Sequence, residues 1–127
     1  MPTRAFPAWP DSVPDARGFV TGLLGQVPPA VCEIAALLVS ELASNAVRHA
    51  GVHEFLVEVK HLPEEGRLWV GVTDTGPGQP VLRSPSTTAQ DGRGLRLVAT
   101  LADRWGAHRR RSTREKTVWF ELALAPA

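Results

Sequence analysis

The stretch that most constrains this chain is residues 37–50, Leu-Leu-Val-Ser-Glu-Leu-Ala-Ser-Asn-Ala-Val-Arg-His-Ala. Ile34, Leu38, Leu42 and Ala46 recur at four-residue steps, which predicts the C-terminal part of an amphipathic helix. Glu41 and Asn45 have the same spacing, so they stack on one face beside that apolar stripe. A carboxylate and an amide at the margin of a buried face lose solvation and need partners. Their oxygens suit Mg²⁺, a hard cation that keeps several waters, and phosphate groups would complete its shell. Taken alone, the pair equally suits an ordinary helix, with Glu41 solvated and Asn45 capping a neighbouring loop.

The chain has 127 residues, which is one domain's length and enough for a hydrophobic core. Its net charge of +1 argues against a dominant nucleic-acid or membrane-surface role. The basic run His108–Arg111 reads as a solvated strand end or loop. No run approaches the ~18 apolar residues of a membrane span. The N-terminus has no apolar signal core, so a cytoplasmic location is expected. The single cysteine, Cys32, excludes an internal disulfide and reads as a small helix residue.

Residues 3–9, with Phe6 and Trp9 among prolines, predict a short edge strand, because Pro7 cannot donate to a central ladder. Asp11-Ser12-Val13-Pro14-Asp15 predicts a capped helix start. That helix is expected to run to about Leu24, with Ala16, Phe19, Val20, Leu23 and Leu24 inward and Gly25 as its stop. Arg17 falls on its polar side. Pro28-Pro29 opens the second helix, with Glu33 near its start and Arg48 and His49 near its end, closed by Gly51. Residues 54–61 and 67–73 alternate apolar and polar positions and predict a hairpin. A helix follows Gly94, with Leu95, Val98, Ala99 and Leu101 apolar, and strands are expected at 104–110 and 116–124. The fold class is therefore an α/β two-layer sandwich: three helices on one face of a mixed, mostly antiparallel sheet, forming one domain over 1–127.

Two further stretches carry chemistry. Asp74 follows a buried strand and precedes Gly76 and Gly78, so it can accept a hydrogen bond in a pocket that the backbone approaches closely. Taken alone, Asp-Thr-Gly-Pro-Gly is also an ordinary turn. Gly92-Arg93-Gly94-Leu95 opens a helix, where backbone N–H groups bind phosphate. It is neither a Walker loop nor a dinucleotide fingerprint, since no Gly-Lys-Ser/Thr follows and no strand leads in.

Together these stretches resemble the ATP-binding domain of the GHKL superfamily, and most closely its small bacterial anti-sigma-factor serine/threonine kinases. Glu41-x-x-x-Asn45 matches the N box, Asp74-x-Gly76-x-Gly78 the first glycine box and Gly92-x-Gly94 the second. Leu-Ala-Asp-Arg-Trp-Gly at 101–106 and Lys-Thr-Val-Trp-Phe-Glu at 116–121 are typical of the small members. The resemblance implies ATP and Mg²⁺ as cofactors. It makes Asn45 the Mg²⁺ ligand and Glu41 the general base for the attacking hydroxyl. Asp74 would bind the adenine amino group with Thr117 beside it, and Gly78 would give the ring room. Gly92, Gly94 and Leu95 would touch the phosphates beneath a lid at 79–91, which is expected to be mobile without nucleotide. Glu115 stands where these relatives usually carry glycine.

The activity implied is phosphorylation of a small antagonist protein, with a sigma factor held by protein contact. A non-catalytic nucleotide-binding module that holds a partner is the alternative. A histidine-kinase catalytic domain working in trans ranks last, because no long dimerisation helix with a phospho-accepting histidine is present. Trp69 and Trp119 fall on the polar face of their strands. They mark a homodimer or partner surface, or else pack locally over cross-strand neighbours.

Overall fold

The computed structural model describes residues 2–48, 53–74, 89–113 and 115–124, without the side chains of 89–94. The elements in order are β1 (Thr3–Pro7), α1 (Ser12–Gly22), α2 (Pro29–Arg48), β2 (Glu54–Leu62), a 3₁₀ turn (Pro63–Glu65), β3 (Arg67–Asp74), α3 (Ala89–Leu101), β4 (Arg104–Arg109) and β5 (Lys116–Ala123). The strands form one sheet in the order β1-β2-β3-β5-β4. Its pairings are antiparallel throughout, within the mixed, mostly antiparallel sheet expected.

Alternation decides which face of each strand is buried. Phe55, Val57 and Val59 on β2, Leu68, Val70 and Val72 on β3, and Phe120 and Leu122 on β5 turn toward the helices and are buried. Fully burying one such side chain contributes ~1.5–3 kcal/mol, so this face anchors the two layers. α2 is the central helix. It packs on β3 and β5 and lies between α1 and α3. Of the stripe expected from spacing, Leu38, Leu42 and Ala46 are buried and Ile34 is half-buried; Val39 is buried beside it.

By length and composition α2 would also pass for a membrane span, with mean hydropathy 1.5 over its most apolar window. This corrects the expectation that no stretch comes near that limit. The apolarity reflects burial on two sides, against the sheet and against α1.

α1 departs from expectation at both ends. Asp11 is itself in the α region and makes no side-chain cap. The first helical N–H groups, of Ser12 and Val13, instead donate to the carbonyls of Trp9 and Pro10. The helix ends at Gly22 rather than Gly25, and Leu23 is 38% exposed, not inward. Leu24 fills the core instead, at 2% exposure, carried there by the turn that follows. Arg17 is exposed as expected, but it also reaches α2, donating from Nε to Ser40 Oγ at 2.9 Å.

Among the described residues, no helix covers the opposite face of the sheet. There the Trp69 and Trp119 rings stack at 6.2 Å, Lys60 Nζ lies 4.5 Å from the Trp69 ring centroid, and Thr73 and Thr117 share a 2.8 Å hydroxyl hydrogen bond. Glu121 is buried on this face because Arg67 donates to it at 2.8 Å, and Arg104 adds a second cation at 3.9 Å. Gly66, at φ 69°, closes the 3₁₀ turn in a left-handed conformation that the glycine supplies without strain.

Candidate functional site

The site residues sit on the helix-covered side of the sheet. β3 runs inward at Leu68, Val70 and Val72, and the same parity turns its last residue, Asp74, inward at 6% exposure. Asp74 is a carboxylate at the margin of the core, where ionised groups require a partner. It has one: Lys116, directly opposite on β5, places Nζ 3.9 Å from Asp74 Oδ1. Lys116 is itself 2% exposed. Burial pushes its ammonium below the usual lysine range, the Asp74 charge opposes that shift, and Arg109 on β4 adds to it.

Thr117 is not where the resemblance put it. It pairs with Thr73 on the helix-free face, so β3 and β5 turn it away from Asp74. The physical reason is the two-residue period of the strand: if Val118 and Phe120 face the helices, Lys116 faces them too and Thr117 cannot. Lys116 is therefore the residue that sequence reasoning missed. The alternation of β5 carried the signal.

On α2, Glu41 is half-buried and Asn45, one turn later, is 7% exposed. Asn45 Oδ1 is buried and has no hydrogen-bond partner. Leaving such an acceptor unpaired costs about 1–3 kcal/mol. A hard cation with its waters would satisfy it, so the amide fits the Mg²⁺ expected there. No group of three or more His, Cys, Asp or Glu side chains capable of holding a metal occurs among the described residues. A cation held by one amide oxygen together with nucleotide phosphates is the arrangement these residues suit.

α3 begins at Ala89, three residues before Gly92, rather than being opened by the glycines. Gly92 thus falls in its first turn, and Gly94 and Leu95 start the second. Glycine costs a helix only ~1 kcal/mol relative to alanine, too little to stop Ala89 and Gln90 from joining it. Leu95 sends its side chain into the core at 8% exposure, so only its backbone is available to a phosphate. Gly76, Gly78, His49, Gly51 and most of the expected lid, 79–88, lie outside the described residues. Glu115 is half-buried. Its carbonyl accepts from Arg110 N–H at 2.7 Å, and its side chain lines a groove of about 330 Å³ on the helix-free face with Trp69, Thr73 and Thr117.

The comparisons agree with this fold. The family described as "Histidine kinase-like ATPase domain" matches residues 6–122. A solved structure of the Erythrobacter litoralis EL346 blue-light activated histidine kinase is similar at TM-score 0.60 and 24% identity, covering 90% of this chain and 40% of that one. A histidine kinase domain from the same protein is similar at TM-score 0.57 and 21% identity, covering 94% of this chain and 62% of that one. This chain thus spans less than two thirds of either structure, and at these identities the likeness is one of fold. No curated protein matches the sequence.

Proposed function

The chain belongs to the histidine kinase-like ATPase family, an ATP-binding module of the GHKL superfamily, and from that premise we propose that it is an anti-sigma-type serine/threonine kinase. In this reading it binds ATP with Mg²⁺, phosphorylates a serine or threonine on a small antagonist protein, and sequesters a sigma factor in the cytoplasm. The observation that carries the ATP·Mg²⁺ part is the buried, unpartnered Asn45 Oδ1 one helical turn from Glu41. An orphaned acceptor beside a carboxylate is what a helix pays for when it serves a cation and a reacting group. When bound, Mg²⁺ would neutralise phosphate charge, which together with positioning is most of what phosphoryl transfer requires.

The chain's own residues do the rest. Asp74 accepts from the exocyclic amino group of adenine. The first turn of α3 presents Gly92 toward phosphate at the positive end of a helix. Glu41 takes, or orients, the proton of the attacking hydroxyl. General-base assistance is worth ~10²–10⁴-fold in rate, so Glu41→Ala is expected to bind ATP and transfer phosphate that much more slowly. Incubation with labelled ATP, Mg²⁺ and candidate antagonist proteins measures this directly. Equal transfer by variant and wild type removes Glu41 from the chemistry. No transfer by either favours the binding module that holds a partner without phosphorylating it.

A further inference from the structure

Asp74 reads the base in the proposed ATP site, and its neighbour on the floor of that site is a cation. The β3–β5 register sets Lys116 across from Asp74 with Nζ 3.9 Å from the carboxylate, and the two residues are 2% and 6% exposed. Lysine is almost never buried this deeply unless paired. A buried ion pair is weak support for stability, because apolar residues of similar volume often serve as well or better. The strand here is otherwise apolar on this face, through Val118, Phe120 and Leu122, so the core does not require a lysine.

We propose that Lys116 is a positioning residue that keeps Asp74 an ionised, acceptor-only carboxylate and thereby makes the site select adenine over 6-oxopurines. This rests on the ATP reading above. Adenine carries an amino donor at position 6, whereas hypoxanthine and guanine carry a carbonyl acceptor there. An ionised carboxylate can only accept. Facing the amino group it is satisfied. Facing the carbonyl it is repelled and left unpaired, which is the costly mismatch in a buried site. A protonated carboxyl would donate to that carbonyl and tolerate the wrong base. Selectivity therefore depends on keeping a proton off Asp74.

Burial works against that, since it favours the neutral acid, and a cation within a few ångströms works for it. Lys116 supplies the cation from β5, and Arg109, opposite Lys116 on β4, adds a second positive charge on that side. Among the described residues, the positions that α2 buries against the sheet are uncharged, although α2 also carries the half-buried Glu41, a like charge that favours the neutral acid; β2 sets Phe55 opposite Asp74, and α3 brings Leu95 and Val98.

The test is calorimetric titration of the full chain with ATP and with ITP, each with Mg²⁺, from pH 5.5 to 8. The two nucleotides differ only around position 6. The wild type is expected to prefer ATP by roughly tenfold or more at every pH. Lys116→Met is expected to lose most of that preference, gaining ITP affinity as the pH falls, and Lys116→Arg to restore it. A Lys116→Met protein with the wild-type ATP-to-ITP ratio at every pH overturns the proposal and leaves the ATP site standing. A wild type that binds no ATP overturns both. Should Lys116→Met fail to fold by circular dichroism, Lys116→Gln is read in the same titration: loss of the ATP preference as the pH falls supports the proposal, and the wild-type ratio at every pH overturns it.

Discussion

At the scale of single residues, polar groups sit where burial makes each of them costly, and the cost predicts how each variant behaves. Asn45 Oδ1 is buried without a partner. Replacing such a group by an apolar one of similar shape removes a desolvation penalty, so Asn45→Leu is expected to lose no stability without nucleotide and to gain up to about 1 kcal/mol. It should also lose the stabilisation that ATP with Mg²⁺ gives the wild type. Thermal unfolding with and without the nucleotide reads both effects, and a variant still stabilised by ATP·Mg²⁺ to the wild-type extent takes Asn45 out of the site. Lys116 behaves differently because its cost depends on pH. Its folded value lies below the ordinary 10.5, so the fold carries a penalty while Lys116 is protonated. Between that lowered value and 10.5 the unfolded chain holds more protons than the native one, so this contribution to stability rises with pH. Wild type is therefore expected to gain on Lys116→Met between pH 8 and pH 10, measured as urea midpoints. The other groups that titrate near this range, Lys60, Cys32 and the α-amino group, are present in both proteins and cancel in the difference. A constant difference across that range contradicts the assignment.

At the scale of elements, how much could be read in advance depended on whether one strand or helix held the information. The α2 stripe, the hairpin expected at 54–61 and 67–73 and the inward parity of Asp74 follow from spacing along one segment, and the structure has them, each strand one residue longer. So does the inward parity of Lys116, which the resemblance passed over in favour of Thr117. Single-strand parity cannot supply the register that sets residue 74 against residue 116, because that comes from two strands meeting. Nor do local capping residues show where α1 and α3 begin and end, because backbone turns can meet the same needs. The tryptophans show a further effect that lies between elements. Gly71 and Gly106 leave the space over which Trp69 and Trp119 lie: a Cβ on Gly71 would come within 2.9 Å of Trp69 Cζ3, and one on Gly106 within 2.9 Å of Trp119 Cζ2. In Gly71→Ala the obstacle is the far end of a side chain that can swing outward. The expected cost is therefore at the low end of the ~1–3 kcal/mol of overpacking, while the stacked indole pair is broken. The ring coupling in the circular dichroism spectrum should disappear with stability nearly kept. A retained coupling would mean that the strand, not the indole, had moved.

At the scale of the whole molecule, the sheet separates two surfaces with different uses. Asp74, Lys116 and Asn45 belong to the helix-covered side, while the stacked indoles and the 330 Å³ groove belong to the other. Half of the local-packing expectation holds: the tryptophans pack on each other and over glycines. Both indoles are half-buried, with no helix over them among the described residues, and aromatic residues are enriched at interface centres. The charges around them are unevenly placed. Register turns Glu54, Glu58 and Lys60 of β2 to this face on one side, and Arg104 and His108 of β4 on the other. If two copies met face to face about a twofold axis parallel to the strands through the indole pair, β2 of each would lie over β4 of the other, with Glu58 between Arg104 and His108 and Lys60 level with Arg104. The expected wild-type mass in solution is that of a dimer, falling to a monomer in the Trp69→Ser, Trp119→Ser double variant. ATP affinity should stay within about twofold, because well-separated sites without shared partners contribute independently. A wild type that is monomeric at high concentration eliminates self-association and leaves this face to a different protein. A double variant that loses ATP binding together with its dimer would show instead that the two sides of the sheet are coupled.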